Sequence, residues 1–111
     1  MKEEYVIIIT NYPDKDSAKC IARLLVEQRL AACAQMFPIE SVYAWKEEIY
    51  NEQEVMLFIK SKGTLYDKIA KTIRENHSYE VPEIVQIPIV NGLPEYLRWI
   101  ADNTEDNNDD G

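Results

Sequence analysis

Tyr5-Val6-Ile7-Ile8-Ile9-Thr10 is a short, continuously apolar, β-branched run, followed by the turn signals Asn11-Tyr12-Pro13-Asp14. Such a run reads as a strand buried on both faces. The next segment has a different period. Ala18, Ile21, Ala22, Leu25 and Val26 recur at helical spacing, with Lys19, Arg23, Glu27 and Arg29 on the wet side. Asp16 or Ser17 can cap the start of this helix, which is expected to end near Leu30.

The pattern then repeats. Ala31 to Phe37 leads through Pro38 into Ile39, Val42, Tyr43 and Trp45, a bent second strand with the proline at a bulge or on an edge. The polar groups Lys46-Glu47-Glu48 and Asn51-Glu52-Gln53 frame a hairpin, and Glu54 to Lys60 is the third strand. Gly63 opens a loop, and Leu65 to Asn76 is an amphipathic helix with Leu65, Ile69 and Ile73 inward. His77 to Glu80 is a connector. Val81 to Val90 is strand-like, but Pro82 and Pro88 place it on an edge or make it irregular. Pro94 suits the first turn of a short last helix through Tyr96, Leu97, Trp99 and Ile100. The order β-α-β-β-α-β is the split β-α-β pattern of a ferredoxin-like α+β sandwich. Two helices cover one face of a four-stranded antiparallel sheet. The other face keeps apolar side chains that a domain this small cannot leave wet, so association through the sheet is expected.

The chain has 111 residues, 46% of them hydrophobic and 29% charged, which suits one soluble globular domain. The net charge of −8 is concentrated at the end: Asp102, Glu105, Asp106, Asp109 and Asp110 leave −3 for residues 1–101. Residues 1–101 are therefore read as the domain and 102–111 as an acidic, disordered tail. An acidic body without a Lys/Arg stripe argues against nucleic acid as a partner. No apolar run approaches the ~18–20 residues that span a bilayer, and no signal-peptide core is present, so a membrane role is not expected. Two cysteines without tight spacing suggest reduced thiols and a cytoplasmic location.

Five segments, in order, resemble one known family: Leu30-Ala31-Ala32-Cys33-Ala34, Tyr43-x-Trp45, Glu54-Val55 to Ile59-Lys60, His77-x-Tyr79-Glu80-Val81-Pro82-Glu83-Ile84, and Pro94-x-Tyr96-Leu97-x-Trp99. They are similar to the CutA divalent-cation-tolerance proteins and cover nearly all of residues 5–100. The resemblance implies a ferredoxin-like subunit, an interlocked homotrimer, kinship with the PII signalling proteins and a role in tolerance of copper and other divalent cations. The chain departs from the family pattern in places. Glu47 stands where relatives usually carry Gly after the Trp, Ser78 replaces the Pro of His-Pro-Tyr, and Ile9 and Asn76 stand where some relatives carry Cys and His.

The candidate site residues each have a structural alternative. Cys33 reads as a small buried residue, with metal contact or redox chemistry as the alternatives. Cys20, beside apolar Ile21, reads as structural. His77, the only imidazole, either packs and caps the preceding helix or binds a ligand. By elimination, a copper or zinc site would be led by His77, with Glu80 or Cys33 as second donor from its own or a neighbouring subunit. So sparse a donor set implies weak binding of Cu2+ or Zn2+, with no cofactor required. A Cys33/His77 nucleophilic dyad is the enzyme alternative. No Ser-centred elbow, phosphate-cradling Gly-rich loop or dinucleotide fingerprint is present, so the chain reads as non-catalytic. Trp45, Lys60, Tyr79 and Trp99 are candidates for a ligand cleft between subunits. They support the other reading, a PII-like signalling or small-ligand-binding module.

Overall fold

The first apolar run alternates in burial. In the computed structural model, which describes residues 4–106, Val6, Ile8, Thr10 and Tyr12 are buried while Tyr5, Ile7 and Ile9 are half-buried. That period of two marks a strand with one covered face and one open face. The strand, β1, spans Tyr5–Tyr12 and so takes in Asn11 and Tyr12, which the sequence places in a turn. Helix α1 spans Lys15–Glu27, and its cap is Asp14 in place of Asp16 or Ser17: the Asp14 carboxylate accepts from the backbone N–H of Ser17 at 2.7 Å. Ala18, Ile21, Ala22 and Leu25 of α1 are buried, whereas Val26 and Cys20 are exposed.

Strand β2 (Cys33–Trp45) and strand β3 (Glu48–Lys62) form one long hairpin, and the third strand is twice the length read from its apolar core. Pairing is continuous from Cys33↔Lys60 to Trp45↔Glu48, without a bulge. Pro38 fits because β2 is an edge strand in the order β2-β3-β1-β4. Trp45 and Glu48 flank a two-residue turn and form a hydrogen-bonded pair, and pair type alternates along an antiparallel ladder. Pro38, an odd number of residues before Trp45, therefore falls where the missing N–H would have pointed to the open edge.

A 3₁₀ turn at Gly63–Leu65 leads into α2 (Tyr66–Glu75), with Leu65, Ile69 and Ile73 fully buried. Strand β4 is Ile84–Pro88, shorter than the Val81–Val90 span read from the sequence, and pairs antiparallel with β1 at the other edge. Helix α3 spans Pro94–Asp102, with Pro94 in its first turn. The result is a ferredoxin-like α+β fold: four antiparallel strands with α1 and α2 packed on the face carrying Val6, Ile8, Leu57 and Ile59.

Residues 102–105, expected as the start of a tail, pack on the domain. Asp102 closes α3, and Thr104 is buried with its hydroxyl donating to the Ile100 carbonyl at 2.9 Å. Glu105 donates its N–H to the Arg29 carbonyl and accepts an ion pair from Lys68, both near 2.8 Å (2.7 and 2.8 Å). The physical reason lies at the end of α1. Arg29 sits in the left-handed region (φ 59°), and Leu30 N–H bonds the Leu25 carbonyl while Arg29 N–H bonds that of Val26, a Schellman end. That turn exposes the Arg29 carbonyl to Glu105, while the Arg29 guanidinium donates to the carbonyl of Asp102 at 2.9 Å. Polar side chains, not apolar ones, hold this segment, so hydropathy does not reveal it. Residues 107–111 of the expected tail lie outside the described residues.

The sheet is not closed by one chain. β1 pairs with β3 only from Val55 to Lys62, so Glu48–Glu54 pair with β2 alone and form a two-stranded arm. The arm gives the molecule extents of 45 × 29 × 24 Å. At its tip both turn residues have positive φ, 49° at Lys46 and 68° at Glu47. This is the I′ conformation, which Gly adopts without strain and other residues do not. We expect Glu47→Gly to raise the melting temperature by about 4 °C, corresponding to roughly 0.5–1 kcal/mol in a domain of this size. A scanning calorimetry trace with no gain would show that the turn carries no strain.

Candidate functional site

The residues around His77 form the most connected polar cluster of the molecule. The connector after α2 brings the imidazole back to the end of β1. There a ring nitrogen, Nε2, lies 2.6 Å from the carbonyl oxygen of Asn11. A carbonyl only accepts, so Nε2 carries the proton and donates. Nδ1 is then the acceptor, and it receives the backbone N–H of Tyr79 at 3.2 Å. The ring is also stacked on Tyr12 (4.1 Å between centroids) and tilted against Tyr79 (4.7 Å). Of the two readings of His77, the structural one describes this arrangement, though its partner is the end of a strand and not the end of the preceding helix.

Glu54 is the second member of the cluster and was not recognised as a site residue from sequence. It heads the apolar half of β3, points to the open face of the sheet and is only 5% exposed. A carboxylate buried this deeply must be satisfied by donors. Asn11 Nδ2 donates to one oxygen at 3.1 Å and the Tyr79 hydroxyl to the other at 2.6 Å. Burial, and then that bond, push the Tyr79 hydroxyl well above the ordinary tyrosine range. Tyr12 is pushed up to about 12, mainly by burial and further by Cys20. Among the described residues the Tyr12 hydroxyl has no hydrogen-bond partner. The one sequence clue was a single acid leading an apolar strand.

A groove of about 650 Å³ runs beside this cluster along the arm, lined by Tyr43, Trp45, Glu54 and Tyr79, with Glu40 and Glu83 at its sides. Tyr43 stacks on Tyr50 across the hairpin and donates its hydroxyl to Glu52. Two of the cleft candidates, Trp45 and Tyr79, thus share one site. The other two, Lys60 and Trp99, lie elsewhere: Lys60 is six residues from Glu54 along β3, ~20 Å at strand rise, and meets Tyr96, on which Trp99 stacks.

The metal candidates also separate within one chain. Cys33 pairs with Lys60, opposite Ile7, whereas His77 bonds Asn11, four residues further along β1 and ~13 Å away in that direction. The Glu80 carboxylate turns to Lys46 Nζ at 3.7 Å, an exposed pair worth little. Among the described residues no three His, Cys, Asp or Glu side chains converge on a metal position. A single subunit therefore does not form a closed metal centre from Cys33, His77 and Glu80.

Comparison with known proteins now places the fold and these segments together. The family model of the CutA1 divalent ion tolerance protein matches residues 6–103. The chain belongs to the CutA1 divalent ion tolerance family. It is 41% identical over 102 residues to the divalent-cation tolerance protein CutA of Thermus thermophilus, covering 91% of this chain and 98% of that protein. Some relatives are longer: the match to the chloroplastic protein CutA of Arabidopsis thaliana, at 33% identity, covers 89% of this chain and 55% of that one. Among solved structures, CutA1 from Shewanella sp. SIB1 superposes with a TM-score of 0.90 at 42% identity, covering 96% of this chain and all of that one (100%). A protein described as the periplasmic divalent cation tolerance protein CutA from Archaeoglobus fulgidus gives 0.89 at 34%, covering 91% of this chain and 99% of that one. CutA1 proteins are thus described from more than one compartment, and the cytoplasmic expectation for this chain does not follow from the family. Among the described residues no helix is long and apolar enough to cross a membrane.

Two outcomes follow for the cluster. The folded pKa of Tyr12, about 12, lies above its ordinary value of 10.0, so the neutral phenol is favoured in the folded state. Its contribution to stability is complete below pH 10 and is lost as the pH rises from there through 12. Thermal melts between pH 9 and 12, with tyrosinate absorbance followed in parallel, check this. Tyr79→Phe leaves one oxygen of the buried Glu54 without a donor and should cost about 1–3 kcal/mol. A melting temperature unchanged at equal protein concentration would mean that water replaces the phenol.

Proposed function

We propose that the chain acts in divalent-cation tolerance as a non-catalytic homotrimer that binds copper or zinc weakly and exchangeably. The observation that carries the reading is the state of His77 in a CutA1 subunit. Its Nδ1 is held only by the longer of its two bonds, 3.2 Å to Tyr79 N–H, and Glu80 beside it is exposed. A divalent ion competes for that nitrogen, with Glu80 swinging in from its ion pair and water completing the shell. Cys33 reaches such an ion only from another subunit. Binding then costs an existing hydrogen bond, so the affinity is low. The ions act as cargo, and no resident cofactor is required. Reduced thiols and a cytoplasmic location belong to the same reading. The open sheet face and the two-stranded arm support the trimer, because both need cover that one chain does not supply.

Calorimetric titration of wild type and His77→Ala with zinc and with copper at pH 7.5 tests the reading. We expect weak binding, at most one ion per subunit, and about a tenfold loss of affinity in the variant, equivalent to about 1.4 kcal/mol. Equal affinity and stoichiometry in the two proteins would remove His77 from any metal site.

A further inference from the structure

Lys60 is an ammonium group without a counter-ion. The chain carries 20 acids against 12 bases, yet among the described residues no carboxylate lies within ion-pair reach of Lys60. Its two partners are neutral: the Gln35 side-chain oxygen at 2.8 Å and the Tyr96 hydroxyl at 3.5 Å. An ammonium has three donors, so at least one is left over here. The side chain is half-buried along the open face of the sheet, while both hydrogen bonds of its amine are exposed, so the remaining donor is accessible in the subunit. Its surroundings are flat and apolar. Nζ lies 5.7 Å from the centre of the Tyr96 ring, and Trp99 stacks on that ring at 5.6 Å and an angle of 23°. Trp99 is 42% exposed and Tyr96 38%, although both rings sit on a helix tied down through buried Ile100 and Thr104. A positive donor set beside an exposed, fixed aromatic step has the chemistry of a receptor for an aromatic anion.

We propose that Lys60, Gln35, Tyr96 and Trp99 bind a small aromatic anion, a carboxylate or phosphate ester, whose charge sits on Lys60 and whose planar ring lies against Trp99. The ammonium gives a charge-assisted hydrogen bond, and Gln35 fixes the direction of the amine. The aromatic step supplies the apolar contact that distinguishes an organic anion from a bare inorganic one. This site is separate from the His77 region and of opposite charge to the groove along the arm, so it stands or falls independently of the cation reading.

The test uses the full-length assembled protein with Trp45→Phe, which leaves Trp99 as its single indole, and follows fluorescence. Four probes are titrated: benzoate, phenyl phosphate, the neutral isostere benzamide, and inorganic phosphate. Benzoate or phenyl phosphate should saturate in the millimolar range or tighter, with benzamide and inorganic phosphate weaker by about tenfold. The better of the two anions identifies the carboxylate or the phosphoryl class. Lys60→Gln should lose about tenfold, while Lys60→Arg should keep the affinity within about threefold, because it retains the charge. Near-identical binding of benzoate and benzamide, no saturation by either anion, or full affinity in Lys60→Gln with an unchanged melt would overturn the proposal.

Discussion

The continuous pairing of β2 with β3 is the constraint on which the rest of the molecule depends. It makes a hairpin longer than the sheet that receives it. Residues Glu48–Glu54 find a partner on one side only, and a two-stranded ribbon is at best marginal in water. The arm carries Val42 at 70% exposure and Ile49 at 80%, and the open sheet face presents Phe37, Val85 and Ile87 at 41–45%. Both surfaces are apolar and rigidly displayed. The covered face is complete: Val6, Ile8, Leu57, Ile59, Leu65, Ile69 and Ile73 have no exposed surface. One half of the sandwich is thus a finished core, and the other half keeps apolar surface that its own chain does not cover.

Where the arm leaves the sheet, a polar cluster fixes the geometry. Glu54 is the last β3 residue before β1 takes over as neighbour, and its carboxylate ties Asn11 at the end of β1 to Tyr79 in the connector. His77 repeats the connection through the Asn11 carbonyl and the Tyr79 N–H. Two strands and the chain after α2 are pinned at one corner by charged and neutral hydrogen bonds. This accounts for the orientation of the imidazole. It also sets the terms for any ion that binds there, which must displace a bond already made.

Much of the fold was legible because its signals are local. The β-branched run of β1, the helical spacing of Ile69 and Ile73 and Pro94 at a helix start each act within a few residues; that β1 is covered on one face and not on both appears only from its burial. The length of β3 was not legible, since Ile49 and Tyr50 are set among Glu48, Asn51, Glu52 and Gln53 without alternation, and their pairing depends on β2. Nor was the C-terminal strap, in which Glu105 is held by polar bonds to Arg29 and Lys68, residues distant in sequence. For the site, residue types identified His77, Trp45, Tyr79, Lys60 and Trp99 as notable, but not how they group. The register divides them, with Tyr79 and Trp45 beside Glu54 and Trp99 beside Lys60. Asn11 and Glu54 escaped notice because the first reads as a turn residue and the second as the head of a strand, and only their contact across 43 residues of sequence gives them a role.

The proposed trimer rests on the open face and the unsupported arm, both of which other copies of the chain would cover. Native mass spectrometry of the full-length protein at micromolar concentration measures this directly. Three times the subunit mass of 12.9 kDa, with no monomer population, is the expected result. A stable, folded monomer at that concentration would contradict it, because the apolar face and the arm would then be tolerated in water.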